Sequence, residues 1–113
     1  MCFFIHPRHK KVKTAKKRIT VWKTGKAIVD GFQTLSFNYK YERGKTNKPV
    51  LLFVYDNIID EGYHSYSTYS AAEDSCWTIE DVFELYIPVG ARYYYNPEDN
   101  QYVSNKIVFP KIK

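Results

Sequence analysis

Residues 61–70, EGYHSYSTYS, set one histidine among three tyrosines, three serines and a threonine. Imidazole, hydroxyl and aromatic groups together suit a polar ligand: the hydroxyls meet ribose or phosphate oxygens, and a ring stacks on a base. If the stretch is a strand, Tyr63, Ser65, Ser67 and Tyr69 share one face, and His64, Tyr66, Thr68 and Ser70 the other. Neither face is apolar like that of an ordinary core strand, so one of them is expected to meet something other than core. The competing reading is a half-buried strand in a tyrosine-rich protein, with His64 satisfied by backbone groups.

A site for a small anionic, nucleotide-derived molecule also needs cations, and Lys23, Arg92 and Lys106 are the candidates. His64, Ser65, Ser67 and Thr68 are the candidate contacts to ribose or phosphate, and Tyr66, Tyr93 and Tyr94 the candidate stacking partners. His64, soon after Gly62, is the foremost of these.

Recognisable catalytic patterns are absent. The chain has no glycine-rich phosphate loop, GxSxG elbow, HExxH or CxxC. Asp56, Asp60 and Glu61 fall in expected turns, where solvated acids are the norm. Cys2 and Cys76 are too few for a disulfide framework or a tetrahedral metal site, and His6, His9 and His64 lack metal-ligand spacing. A Cys76–His64 dyad is left open by sequence. The expectation is a non-enzymatic protein with no metal and no cofactor.

The net charge of +5 is carried by one segment. Residues 8–18, RHKKVKTAKKR, hold seven of the seventeen basic side chains, leaving ten basic against twelve acidic in the rest. Such a segment attracts phosphate, as a nucleic-acid arm or as a collar around a pocket; it also reads as a solvated leader. We divide the chain into a basic leader, 1–18, and a single domain, 19–113. The apolar start MCFFIHP is shorter than a signal-peptide core, and no run reaches the length of a membrane span. A cytoplasmic protein with no membrane contact is expected.

The elements that would position these residues are mostly strands. RITVWK (18–23) alternates, with TGK as a turn after it. QTLSFNYKYERGK (33–45) alternates over a longer run, and VLLFVYD (50–56) reads as a buried central strand. After the tyrosine stretch, Ser70 with Glu73 forms a capping-box pattern for a short helix over 71–76. EDVFELYIP (80–88) returns to strand, PVG turns, ARYYY (91–95) is a strand, NPEDN loops, and KIVFPKI (106–112) closes the chain as a strand ending at an edge. The fold class is α+β: six or seven strands in a mixed or antiparallel, or split, sheet with one or two short helices. Aromatic residues make up 18% of the chain, and tyrosine-rich strands of this kind suit subunit contacts.

YERGK (41–45), GYHSY (62–66), IPVGARY (87–93) and YVSNKI (102–107) together resemble a group of small proteins of gut bacteria and their phages. A further likeness is to a degenerate ADP-ribosyltransferase-like fold. ITVWKTG looks like its first motif, with Lys23 in the place of arginine, and SYSTYS like its second, with Ser67 and Thr68 the nearest matches. QYVSNKIVF looks like the third but lacks the catalytic glutamate; Gln101, Ser104 and Lys106 stand nearby. The resemblance implies a phage-type protein, a homo-oligomer in the host cytoplasm, that sequesters an ADP-ribose-like or cyclic nucleotide signal of host defence without transforming it. Two alternatives stand beside it: nucleic-acid binding through residues 8–18, and an active transferase using Glu98 or another displaced glutamate.

Overall fold

In the computed structural model the described residues are 3–4, 11–34, 40–47, 49–50, 52, 58–59, 62–74 and 81–111. They carry ten strands: β1 (Phe3–Phe4), β2 (Lys13–Thr14), β3 (Ile19–Ile28), β4 (Gly31–Gln33), β5 (Lys40–Glu42), β6 (Ile58–Ile59), β7 (Tyr63–Tyr66), β8 (Asp81–Ile87), β9 (Arg92–Asn96) and β10 (Gln101–Ser104). One helix, α1 (Tyr69–Asp74), joins them. The main sheet runs β2-β9-β10-β7-β3-β4-β5, with β8 paired to β3; β1 and β6 pair separately. Every pairing among the described strands is antiparallel. These residues form a single compact, β-dominated domain, as its composition leads one to expect. No helix among them is long and apolar enough to cross a membrane.

The longest strand, β3, departs from the expected boundary. Thr24, Gly25 and Lys26 continue it instead of turning, because Thr24 and Gly25 pair with Val82 and Asp81 of β8 while Lys26 begins the ladder to β4. Chain reversal waits until Val29 and Asp30, where Asp30 takes the left-handed conformation (φ 61°). Residues 33–45 are not one strand either: Gln33 of β4 and Lys40 of β5 pair antiparallel. Leu35, Phe37 and Tyr39, which carried the alternation, lie outside the described residues, as does most of the expected strand over 50–56.

The helix starts earlier than its capping-box pattern suggests. Thr68, not Ser70, is the cap: its Oγ1 accepts from the Ala71 N–H at 3.1 Å. The Tyr69 ring then meets Trp22 edge-on at 5.5 Å, and Ala72 is fully buried.

The C-terminal run was expected as a strand over 106–112, but it makes only isolated bridges at Val108, to Thr46 and Tyr86. Val108 exchanges two backbone hydrogen bonds with Tyr86, while the Ile107 and Phe109 carbonyls accept from Asn47 and Gly44 on the other side. The run therefore brackets β8 to the segment after β5. Together with β3, β4 and β5 it completes a hydrogen-bonded circuit around an aromatic core. Phe32 sits at its centre, stacked on Tyr41 at 4.9 Å and Phe83 at 4.3 Å, with Phe109 edge-on at 5.0 Å. QYVS (101–104), read only as part of a motif, is β10, an interior strand between β7 and β9.

Candidate functional site

Register decides which candidate residues can meet. Trp22 pairs with Tyr66, Tyr102 with Ser65 and with Tyr95, and Ser104 with Tyr63 and with Tyr93. Directly opposed residues share a face, so Lys23, Ser65 and Tyr93 lie on one side of the sheet and His64, Tyr66, Arg92 and Tyr94 on the other. The anticipated cleft is thus divided by the sheet itself.

On the first side, Lys23 is buried, its Nζ donating to the His64 carbonyl and lying 5.2 Å from the centroid of the Tyr41 ring. Burial pushes its ammonium down to about 8. The Ser65 and Ser104 hydroxyls are fully buried and find no hydrogen-bond partner among the described residues. These three polar groups are packed into the core side of the sheet and present nothing to solvent.

On the second side, the His64 ring is held by backbone groups of Ile59 and Gly62. Desolvation, aided by the nearby Lys23 charge, holds its pKa down at about 4, so it is neutral at ordinary pH. Tyr94 is buried with Ile59 and Val103. Tyr66 is half-buried beside Trp22. Arg92 is exposed, and its backbone N–H donates to Asn105 Oδ1 at 2.8 Å. Beyond these, Ser67 donates its backbone N–H to Asn100, Thr68 caps α1, and Lys106 is half-buried after β10. Glu98 lies exposed in the turn between β9 and β10, its N–H donating to Asn96 Oδ1. Cys76 lies outside the described residues.

A different constellation does converge. The basic segment is stitched to the sheet edge: Lys13 and Thr14 pair with Tyr93 and Arg92, and Ala15 is buried. The Ala15 N–H donates to the Ala91 carbonyl, and its own carbonyl accepts from Gly90, each at 2.8 Å. Gly90 sits at φ 89° in the PVG turn, a conformation that lets the turn reach this edge. Anchored at Ala15, the segment forms the wall of a pocket of about 650 Å³. Lys11, Lys13, Lys16, Lys17 and Arg18 line it, with Val12, Thr14 and Ile19 between them and Tyr93 and Tyr102 beside them; among the described residues no acidic one does.

Arg18 has a second engagement, its guanidinium 4.3 Å from the Tyr86 ring centroid. The four lysines are exposed, and no ion pair holds them among the described residues. Of the candidate residues, only Tyr93 belongs to this pocket. The signal for the rest was the basic run itself, read as a collar; the small buried Ala15 in its midst marks where the collar is fastened. Chemically, the pocket offers cations for phosphate and phenol rings for an aromatic base. No protein-family model, no curated protein and no solved structure matches the chain, so what the pocket holds is read from its own residues.

Proposed function

We propose that this protein binds a phosphorylated, nucleotide-type ligand in the basic pocket and holds it without chemical change. The observation that carries this reading is the meeting of five cations with Tyr93 and Tyr102 in one pocket that, among the described residues, no acidic side chain lines. Lysine ammonium groups satisfy phosphate as point charges, and the phenol rings offer faces to a base. A cytoplasmic protein of this kind acts by sequestration, lowering the free concentration of a nucleotide signal. The same chemistry recognises nucleotides within a strand, and the exposed continuity of Lys16, Lys17 and Arg18 favours that second reading.

Thermal-shift measurements with NAD, ADP-ribose, cyclic dinucleotides and short DNA test the reading, with each nucleotide recovered and checked for breakdown. A ligand that binds the folded state alone raises the melting temperature by mass action. Stabilisation by an intact nucleotide, lost in Lys16→Glu/Lys17→Glu without a change in the unliganded melting temperature, is the expected result. Both lysines are exposed, so the substitution reverses the charge without touching the core. Breakdown of the nucleotide, or stabilisation that survives the double substitution, would refute it.

A further inference from the structure

The pocket's aromatic side does not stop at its rim. Tyr102 pairs directly with Tyr95 across β9 and β10, and their ring centroids lie 4.5 Å apart at a tilt of 34°. Tyr93 lies 5.7 Å from Tyr102 on its other side. All three share the sheet face by register and all three are half-buried, Tyr93 and Tyr102 packing in part against the core. Tyr95 does not line the pocket. A single bound nucleotide would leave it unused.

The row therefore begins among the lysines of the basic segment and leads away from them. It ends at the β9–β10 turn, where Tyr95 Oη approaches Asn100 Oδ1 at 3.5 Å and the exposed Glu98 and Asp99 follow. Those carboxylates repel phosphate, and no cation stands between Asn96 and Ser104 to draw a backbone further. Cations at one end, three adjacent rings and an acidic stop define a short path with a beginning and an end.

We infer that the site takes single-stranded nucleic acid, its phosphates on Lys11, Lys13, Lys16 and Lys17 and its bases over Tyr93, Tyr102 and Tyr95. This rests on the nucleotide reading above and extends it from one nucleotide to a strand. Stacking on aromatic side chains is tolerant of sequence because every base has a π-face. Paired bases in a duplex keep those faces covered, so a duplex reaches only the cations. With one base for each ring, the site spans about three nucleotides.

Fluorescence anisotropy with labelled thymidine oligonucleotides of increasing length, a labelled duplex, and unlabelled thymidine monophosphate as competitor tests the inference in low salt. Affinity is expected to climb to a length of about three or four nucleotides and then level, with the duplex weaker. Tyr95→Leu should weaken the oligonucleotide about tenfold, within the range of one lost base stack, and leave the mononucleotide unchanged. Tyr95→Phe should restore it, since the ring is kept and only the hydroxyl is lost. Unchanged mononucleotide binding in Tyr95→Leu also certifies that the variant is folded. Equal affinity for mononucleotide and oligonucleotide, equal affinity for duplex, or indifference to Tyr95→Leu would each overturn the strand while leaving the nucleotide pocket standing. Failure of every nucleotide to bind would overturn both.

Discussion

Lys23→Met is the perturbation that most directly tests how the core of this protein is built. The native ammonium is buried with no carboxylate paired to it among the described residues. Its pKa falls from 10.5 to about 8 by desolvation. Because the folded value is the lower one, the unfolded chain binds the proton more tightly, and stability rises with pH between about 8 and 10.5. Below that window the charged lysine costs about 3 kcal/mol, the shift converted at 1.36 kcal/mol per unit. Between pH 7 and 9.5, the linkage relation returns about 2 kcal/mol of that cost. Methionine has similar length and no charge, so it escapes the cost altogether. It also leaves the His64 carbonyl without its lysine donor, at about 1–3 kcal/mol, and gives up the contact with the Tyr41 ring. At pH 7 these effects nearly cancel, so the readout is the pH dependence. Urea unfolding of both proteins at the two pH values should shift their difference by about 2 kcal/mol in favour of the wild type at the higher pH. Ionisation of the tyrosines is common to both and drops out. A difference that stays constant would show that Lys23 keeps an ordinary pKa, and the buried, desolvated lysine would be wrong.

Two further perturbations test other parts of the frame. His64 has its folded pKa depressed from 6.5 to about 4, so its contribution is complete above 6.5 and is lost as pH falls toward 4. The loss amounts to about 3 kcal/mol, and His64→Gln should flatten the acid limb of the stability curve; an unchanged limb would place the imidazole in water. Gly31→Ala should destabilise by about 2–3 kcal/mol, as overpacking does, because a Cβ there would overlap the Tyr41 backbone carbonyl. A melting temperature equal to that of the wild type would mean that β4 and β5 are not in this register.

Alternation and β-branched or aromatic runs made β3, β7, β8 and β9 legible, because burial in a sheet imposes a period of two on the sequence that fills it. Their partners were much less legible. In Glu61–Ser70 the pattern suggested a polar face turned toward a ligand, and Ser65 was among the residues expected to touch it. Ser65 is instead fully buried, because β7 is an interior strand between β10 and β3 and its serine-bearing face is the one that packs against the core. Period two says which residues go together; only neighbouring strands say which side is inward. The basic segment failed in the opposite sense. β2 has two residues, too few to leave a period, so its pairing with β9 was invisible and the cations read as an arm or a collar without a location.

One physical difference separates the hydroxyl-rich stretch from the basic segment. A polar group inside the sheet can be engaged by backbone, as Lys23 is by the His64 carbonyl and the His64 ring by the Ile59 and Gly62 backbone, or simply packed away, as the Ser65 and Ser104 hydroxyls are. Once so held, it has little left with which to hold a ligand, and its perturbed pKa reflects burial more than readiness for chemistry. Lys11, Lys13, Lys16 and Lys17 stand in the opposite situation. The edge bonds of Ala15 draw them around one hollow, where like charges repel and no carboxylate intervenes. Water and salt moderate that repulsion, but a phosphate placed among them relieves it and releases counterions. On the proposed reading, binding falls where the fold has gathered charge and left it exposed and, among the described residues, unpaired, at β2 and its tyrosines, rather than where the sequence is richest in hydroxyls.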